Sequence, residues 1–226
     1  MGKSHNIYGI CTAAIFVATV GTSFSIGSLE ILPVVSALCV LAGTTLPDID
    51  LPDSPRRKKW KTYSILLAIL MTLPLICILL GLSGYEIPEF ISAFISLLTP
   101  FIGLAYVNLF LALQMKHRTY SHSSYVPFLF FVLMWYVTNN ISPDIALYIN
   151  SVLFGVMLGY ASHLVFDSCT VSGTPLAYPL GIRVKLLPGF CRIKTNTRGE
   201  TLFTCLIVLS TITYILWRIY LCIINM

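Results

Sequence analysis

Four histidines and a handful of aspartates are the residues of this chain best equipped for chemistry: His5, His117, His122 and His163, with Asp48, Asp50, Asp53 and Asp167. His163 and Asp167 stand four apart in Gly159–Asp167, G-Y-A-S-H-L-V-F-D. On a helix that spacing puts both on one face, where they reach one metal ion, or a metal and its outer shell. An ionisable pair at the end of an apolar helix is expensive and reads as functional; the bland alternative is an interfacial polar cap. Leu46–Asp50 reads L-P-D-I-D. Pro47 disfavours continued helix at Leu46, and in extended chain Asp48 and Asp50 point to the same side. Two carboxylates so placed repel unless a cation lies between them; the alternative is a helix-end turn with solvated aspartates. His117–Ser123 reads H-R-T-Y-S-H-S. Arg118 can hold an anionic oxygen bidentately or merely anchor the chain by its charge, and Ser121 or Ser123 can N-cap the helix that follows.

The elements that must carry these residues are membrane helices. Of the 226 residues 57% are hydrophobic and only 10% charged, against about 25% charged in a soluble domain. So few charges cannot cover a water-facing surface, so the solvent is largely lipid. Apolar runs suited to crossing the bilayer, uncharged but for Glu30 in the second and Arg218 in the last, recur near Ile7–Phe24, Leu29–Leu46, Ser64–Leu82, Phe90–Leu113, Ser124–Thr138, Ile145–Phe166 and Leu202–Ile223. Helices satisfy their own backbone in lipid, which predicts an all-α polytopic transmembrane bundle of about seven spans, forming one membrane-embedded domain over 1–226. The fifth run is short. The first is too long for a signal-peptide core, so it is expected to be retained. Arg218 in the last can snorkel to the interface.

Lysine and arginine alternate with the loops. They fill 56–61, 116–118 and 183–198, whereas Ser25–Gly27, Ser83–Glu89 and Asn139–Asp144 hold none. The basic loops are therefore expected in the cytosol. That topology, drawn without reference to histidine, puts all four histidines and Asp48, Asp50, Asp53 and Asp167 at one face. The net charge of +5 thus reflects topology, and no nucleic-acid partner is expected. The seven cysteines form no C-x-x-C pair, so neither a disulfide framework nor a thiolate zinc site is expected. Cys169 and Cys191 fall in the long basic loop 168–200, where they are more plausibly inert than reactive. A loop of that length without structure is generally functional, and its cations can touch anionic headgroups.

Taken in order, these segments resemble the YdjM-like family of membrane-bound metal-dependent hydrolases. The resemblance is carried by His5, by L-P-D-I-D, by H-R-T-Y-S-H-S, and above all by Gly159–Pro179, with Ser162, His163, Asp167, Thr170, Gly173, Pro175 and Pro179 in the family's pattern. Gly199–Glu200 resembles a later element weakly. Ser121 stands where the family usually has threonine, and extra apolar sequence precedes His117. The family is in turn remotely similar to zinc-dependent phospholipases C in its early histidine, aspartate and H-x-x-x-D pair. The resemblance implies a metal-dependent hydrolase in the cytoplasmic (inner) membrane.

Imidazole and carboxylate donors suit zinc, with manganese or iron as alternatives, and the lack of thiolates favours an open catalytic site over a closed structural one. The expected metal donors are His5, Asp48, Asp50, His122, His163 and Asp167. His117 is the candidate general acid or base, and Arg118 the candidate stabiliser of negative charge. The expected partner is membrane lipid, and the expected substrate an ester or phosphoester, lipid-linked or lipid-like, reached at the cytosolic face. Two readings from other classes compete. One is a proton or divalent-metal transporter or channel, although polar residues at span ends rather than mid-membrane speak against it. The other is a scaffold that binds metal without catalysis.

Overall fold

The computed structural model describes residues 2–21, 24–50 and 119–225, with residues 76, 88, 91, 102, 103 and 106 between them. The chain divides into two compact units, one of Met1–Asp48 with His122–Met226, the other Ile49–Ser121. In the second, residues 76, 91, 102, 103 and 106 are helical; the runs read as spans at Ser64–Leu82 and Phe90–Leu113 otherwise lie outside the described residues.

Among the described residues the first unit holds five α-helices and one hairpin: α1 (Gly2–Val20), β1 (Phe24–Ile26), β2 (Leu29–Ile31), α2 (Pro33–Thr45), α3 (Tyr125–Asn140), α4 (Pro143–Ser168) and α5 (Arg198–Ile224). Proline opens α2 and α4, at positions where its fixed φ suits a first helical turn and its missing N–H costs nothing. Among the described residues two helices are long and apolar enough to cross a bilayer: α4, of 26 residues, and α5, of 27. Much of α5 turns apolar side chains outward, among them Leu202, Leu206, Leu209, Leu216, Ile219 and Ile223, as a lipid-facing helix must.

The expectation of about seven spans is not supported. At 1.5 Å per residue the 13 residues of α2 reach about 20 Å and the 16 of α3 about 24 Å, short of the roughly 30 Å hydrocarbon layer. The apolar stretch Ser4–Val20 of α1 is likewise among the shorter helices. Nor is the unit wholly α. Phe24 pairs with Ile31 and Ile26 with Leu29 across a Gly27–Ser28 turn, with Gly27 at φ +61°. The hairpin consumes the end of one apolar run and the start of the next. It buries Leu29 and Ile31 with Met134 of α3 and Phe154 of α4, so its hydrophobicity serves a protein core.

The tightest seam joins α2 to α4. A Cβ on Gly155 would overlap the Ser36 carbonyl, one on Gly159 the Val40 carbonyl, and one on Gly43 the Val156 carbonyl. Gly155 and Gly159 make a G-x-x-x-G stripe, the pattern that lets membrane helices meet backbone to backbone. At the end of the seam where α2 begins, Ser151 accepts from the Leu32 N–H at 2.8 Å, and Ser36 donates to the Ser151 carbonyl at 2.8 Å. Helices α1 and α5 run parallel. Tyr8 meets Thr204 at 2.9 Å near their starts, and Thr19 meets Tyr214 at 2.8 Å further along. Arg218 does more than snorkel. Its Nε donates to the Ala18 carbonyl at 2.9 Å and its NH2 group to the Thr19 carbonyl at 3.2 Å, so a cation caps the carbonyl end of α1.

Candidate metal centre

Helix directions bring the histidines together. The ends of α2 and α4 and the start of α1 share one end of the unit, so His5 of α1 lies beside His163 and Asp167 of α4, with ring centroids of the two histidines 4.0 Å apart. Helix α2 stops at Thr45, as Pro47 predicts. Leu46 nevertheless stays helical (φ −63°, ψ −42°), and the chain tightens into a 3₁₀ turn over Pro47–Asp50. The extended segment expected there is absent, and with it the reason for placing Asp48 and Asp50 on one side, because three residues per turn send neighbours two apart in different directions. Asp48 turns inward to the centre. The side chain of Asp50 lies outside the described residues, as do Asp53, His117 and Arg118. His122 closes a second 3₁₀ turn, Tyr120–His122. The helix after it is N-capped by neither Ser121 nor Ser123. Ser124 takes that position, and its hydroxyl donates instead to the Leu176 carbonyl at 2.8 Å.

Five of the six expected donors converge. His5 Nε2 lies 3.4 Å from Asp167 Oδ1, His122 Nε2 3.3 Å and His163 Nε2 3.6 Å from Asp167 Oδ2, and Asp48 Oδ1 sits 3.7 Å from His163 Nε2 and 4.0 Å from His122 Nε2. None of the five residues is more than 6% exposed, so bulk water does little to solvate their charge. They form two overlapping triads, His5–Asp48–His163 and His122–His163–Asp167, with the donor atoms in each triad within 4.8 Å of one another. His163 belongs to both. Its Nε2 has one lone pair, which serves one ion at a time.

The donor chemistry fits a divalent cation. His163 Nδ1 lies 2.7 Å from the Thr44 carbonyl. A carbonyl only accepts, so Nδ1 carries the proton, and in the neutral ring Nε2 presents its lone pair. That nitrogen is buried without a hydrogen-bond partner, and the carboxylate oxygens facing it at 3.6 and 3.7 Å are too far for a hydrogen bond. Lone pairs turned on one another across such a gap suit a cation between them. Two donors each about 2.1 Å from one ion subtend roughly 105–145° at the separations of 3.3 to 4.0 Å seen here. Two carboxylates with three neutral imidazoles carry a formal charge of −2, which one divalent ion cancels.

The long loop braces this end. Thr174 donates from its hydroxyl to the Leu164 carbonyl at 3.1 Å, and its backbone exchanges hydrogen bonds with Val184. The Leu176 carbonyl also accepts the Ser124 N–H at 3.0 Å, so the loop ties the segment just after His122 to the end of α4. Cys169 is half-buried, and burial pushes its thiol pKa up, away from the thiolate that reactivity needs. Glu200 plays a structural part, since its carboxylate accepts the Asn196 N–H at 2.6 Å, where Asn196 holds φ +61°. Sequence reasoning missed Thr44. It acts through its backbone carbonyl, which any residue there would supply, so side-chain type gave no signal.

A family profile described as YdjM inner membrane protein matches residues 1–224. The uncharacterized protein YvsG of Bacillus subtilis (strain 168) is 36% identical over 98 residues, which cover 43% of this chain and 54% of that protein. The chain thus spans about half the length of this curated relative. No solved structure matches.

Proposed function

The chain belongs to the YdjM inner membrane protein family, and from that premise we propose that it is a membrane-bound, metal-dependent hydrolase of an ester or phosphoester. The observation that carries this reading is His163: one ring nitrogen is held by the Thr44 carbonyl at 2.7 Å, and the other is aimed without a hydrogen-bond partner into a pair of buried carboxylates. His5, Asp48, His122, His163 and Asp167 would hold the ion, zinc first and manganese or iron as alternatives. A divalent ion there supplies Lewis acidity, lowering the pKa of a water and polarising the scissile group. Thr44 keeps the His163 lone pair directed inward, and the stacked His5 and His163 rings limit each other's rotation. His117 would move the proton to or from the reacting oxygen, and Arg118 would bind the negative oxygen of the substrate.

Arg118→Ala separates this reading from a metal-binding scaffold. Arginine carries its charge to the substrate and not to the cation, so turnover should fall roughly 100-fold or more while bound metal stays unchanged. Metal analysis of the detergent-purified protein, followed by a phospholipid and phosphoester panel, measures both. Full metal with no cleavage by the wild type, and cellular activity intact in Arg118→Ala, would sink the hydrolase reading in favour of the scaffold.

We place the centre at the cytosolic face, because the basic loop 183–198 follows the end of α4 that carries His163 and Asp167, while the short connection between α3 and α4 holds no lysine or arginine. Reporter fusions at Glu86 and at Asn140, the last residue of α3, should both report the outside. A cytosolic signal at Asn140 would reverse the orientation.

A further inference from the structure

Beside the histidine cluster, between α1, α4 and α5, lies an open groove of about 440 Å³, within the range of sites that hold small ligands. Its walls are Tyr8, Thr12 and Ile15 of α1, Ala161 and Val165 of α4, and Phe203 and Ile207 of α5, among others. We propose that this groove binds one hydrocarbon chain of an anionic membrane lipid and presents the lipid's polar end to the histidine cluster.

Three features choose this occupant. The groove belongs to helices that include the two apolar enough to cross a bilayer, and Ile15 and Val165 at its rim are exposed, so it is continuous with the surface that lipid covers. One end abuts the candidate centre. Phe166, a wall residue, stacks on Tyr8 with ring centroids 4.0 Å apart and meets the His5 ring edge-on at 4.8 Å. A single aromatic ring thus separates the hydrocarbon path from the imidazoles. The same end is charged to match an anion. Ile193 and Leu187 of the long loop pack with Tyr8, Phe166 and Cys169, and Arg192 and Lys194 flank Ile193 in the chain. Arg192 is fixed there by donating from Nε to the Leu187 carbonyl at 3.0 Å. A chain lying along the groove therefore has cations near its head and the histidine cluster within reach of its ester linkages.

The proposal deepens the hydrolase reading and rests on it for the substrate class, but occupancy of the groove is measured without metal or turnover. The wild-type protein in vesicles is irradiated with phosphatidylglycerol carrying a diazirine in mid-chain, and the adducts are mapped by mass spectrometry. Labelling is expected to concentrate on Thr12, Val165, Phe203 and Ile207, at least ten-fold above Leu209 and Leu216 on the exposed side of α5, and to fall with excess unlabelled phosphatidylglycerol. The same probe on a phosphatidylcholine headgroup should label the groove several-fold less. Ala161→Phe and Thr12→Phe, which fill it from opposite walls, should each remove the specific labelling, whereas Leu216→Phe leaves it intact. Equal labelling of the groove and of Leu209 and Leu216, or labelling that excess lipid does not displace, overturns the groove proposal. Equal labelling by the two headgroups overturns its anionic half. Loss of the hydrolase reading instead would appear as specific groove labelling in a protein that cleaves nothing.

Discussion

Asp167→Asn should remove bound metal and hydrolysis together. Asp167 is the one residue within 3.6 Å of all three described histidines of the centre, and the amide replaces one carboxylate oxygen with N–H donors that cannot bind a cation. Outer-shell partners alone are worth roughly 10- to 100-fold in metal affinity, so losing a direct donor should exceed that range and turnover should drop below detection. Asparagine nearly matches aspartate in shape, so the α4 packing should survive and the protein should still purify as a folded species. Metal content at saturation, measured beside the wild type, decides the matter. Stoichiometric metal in Asp167→Asn would show that the ion lies elsewhere.

Gly159→Leu should strongly destabilise the seam between α2 and α4. Any Cβ at Gly159 collides with the Val40 carbonyl and crowds the Thr44 N–H, and backbone cannot rotate aside as a side chain can. Overpacking a filled core costs about 1–3 kcal/mol; prising two helices apart should reach or exceed the top of that range. The damage should also reach the site, since Thr44 supplies the carbonyl that fixes His163. Thermal retention of the monodisperse species in detergent measures the first effect and metal content of the surviving fraction the second. Gly189→Leu is the control, because a Cβ there meets nothing within 4 Å. Equal thermal retention of Gly159→Leu and the wild type would contradict the close approach.

The grouping of the candidate donors was more legible in the sequence than the lengths of the helices that hold them. His163 and Asp167 announce themselves because four residues is one helical turn, a local rule that tertiary structure did not override. His5, Asp48 and His122 could be grouped with them because the alternation of lysine and arginine between loops fixes which helix ends share a side. Hydropathy was less informative about length. It registers that 29–46 is largely apolar, with Glu30 its one charge, but cannot tell that Leu29 and Ile31 form a strand or that helix begins only at Pro33. Three-residue strands are too short to show alternation above the surrounding apolar noise. The Gly155–Gly159 stripe carries no meaning until its partner helix is known, and that partner is distant in the chain: Thr44 of α2 stands 119 residues from the His163 it holds. Asp48 turned inward by a route other than the expected one, through a 3₁₀ turn that the L-P-D-I-D pattern does not specify.

The pairing of α1 with α4 and α5 also has a consequence for how the molecule is made. His5 is 162 residues from the carboxylate it approaches, and the guanidinium that caps α1 lies 200 residues beyond its Ala18 partner. At about 5–20 residues per second on the ribosome, the wait for Asp167 lasts roughly 8–30 s. Throughout that interval α1 has neither its cap nor its histidine's partner, and a chain halted before α5 never acquires that cap. Assembly of the histidine cluster therefore waits on residues made long after His5, and the α1 cap waits longer still.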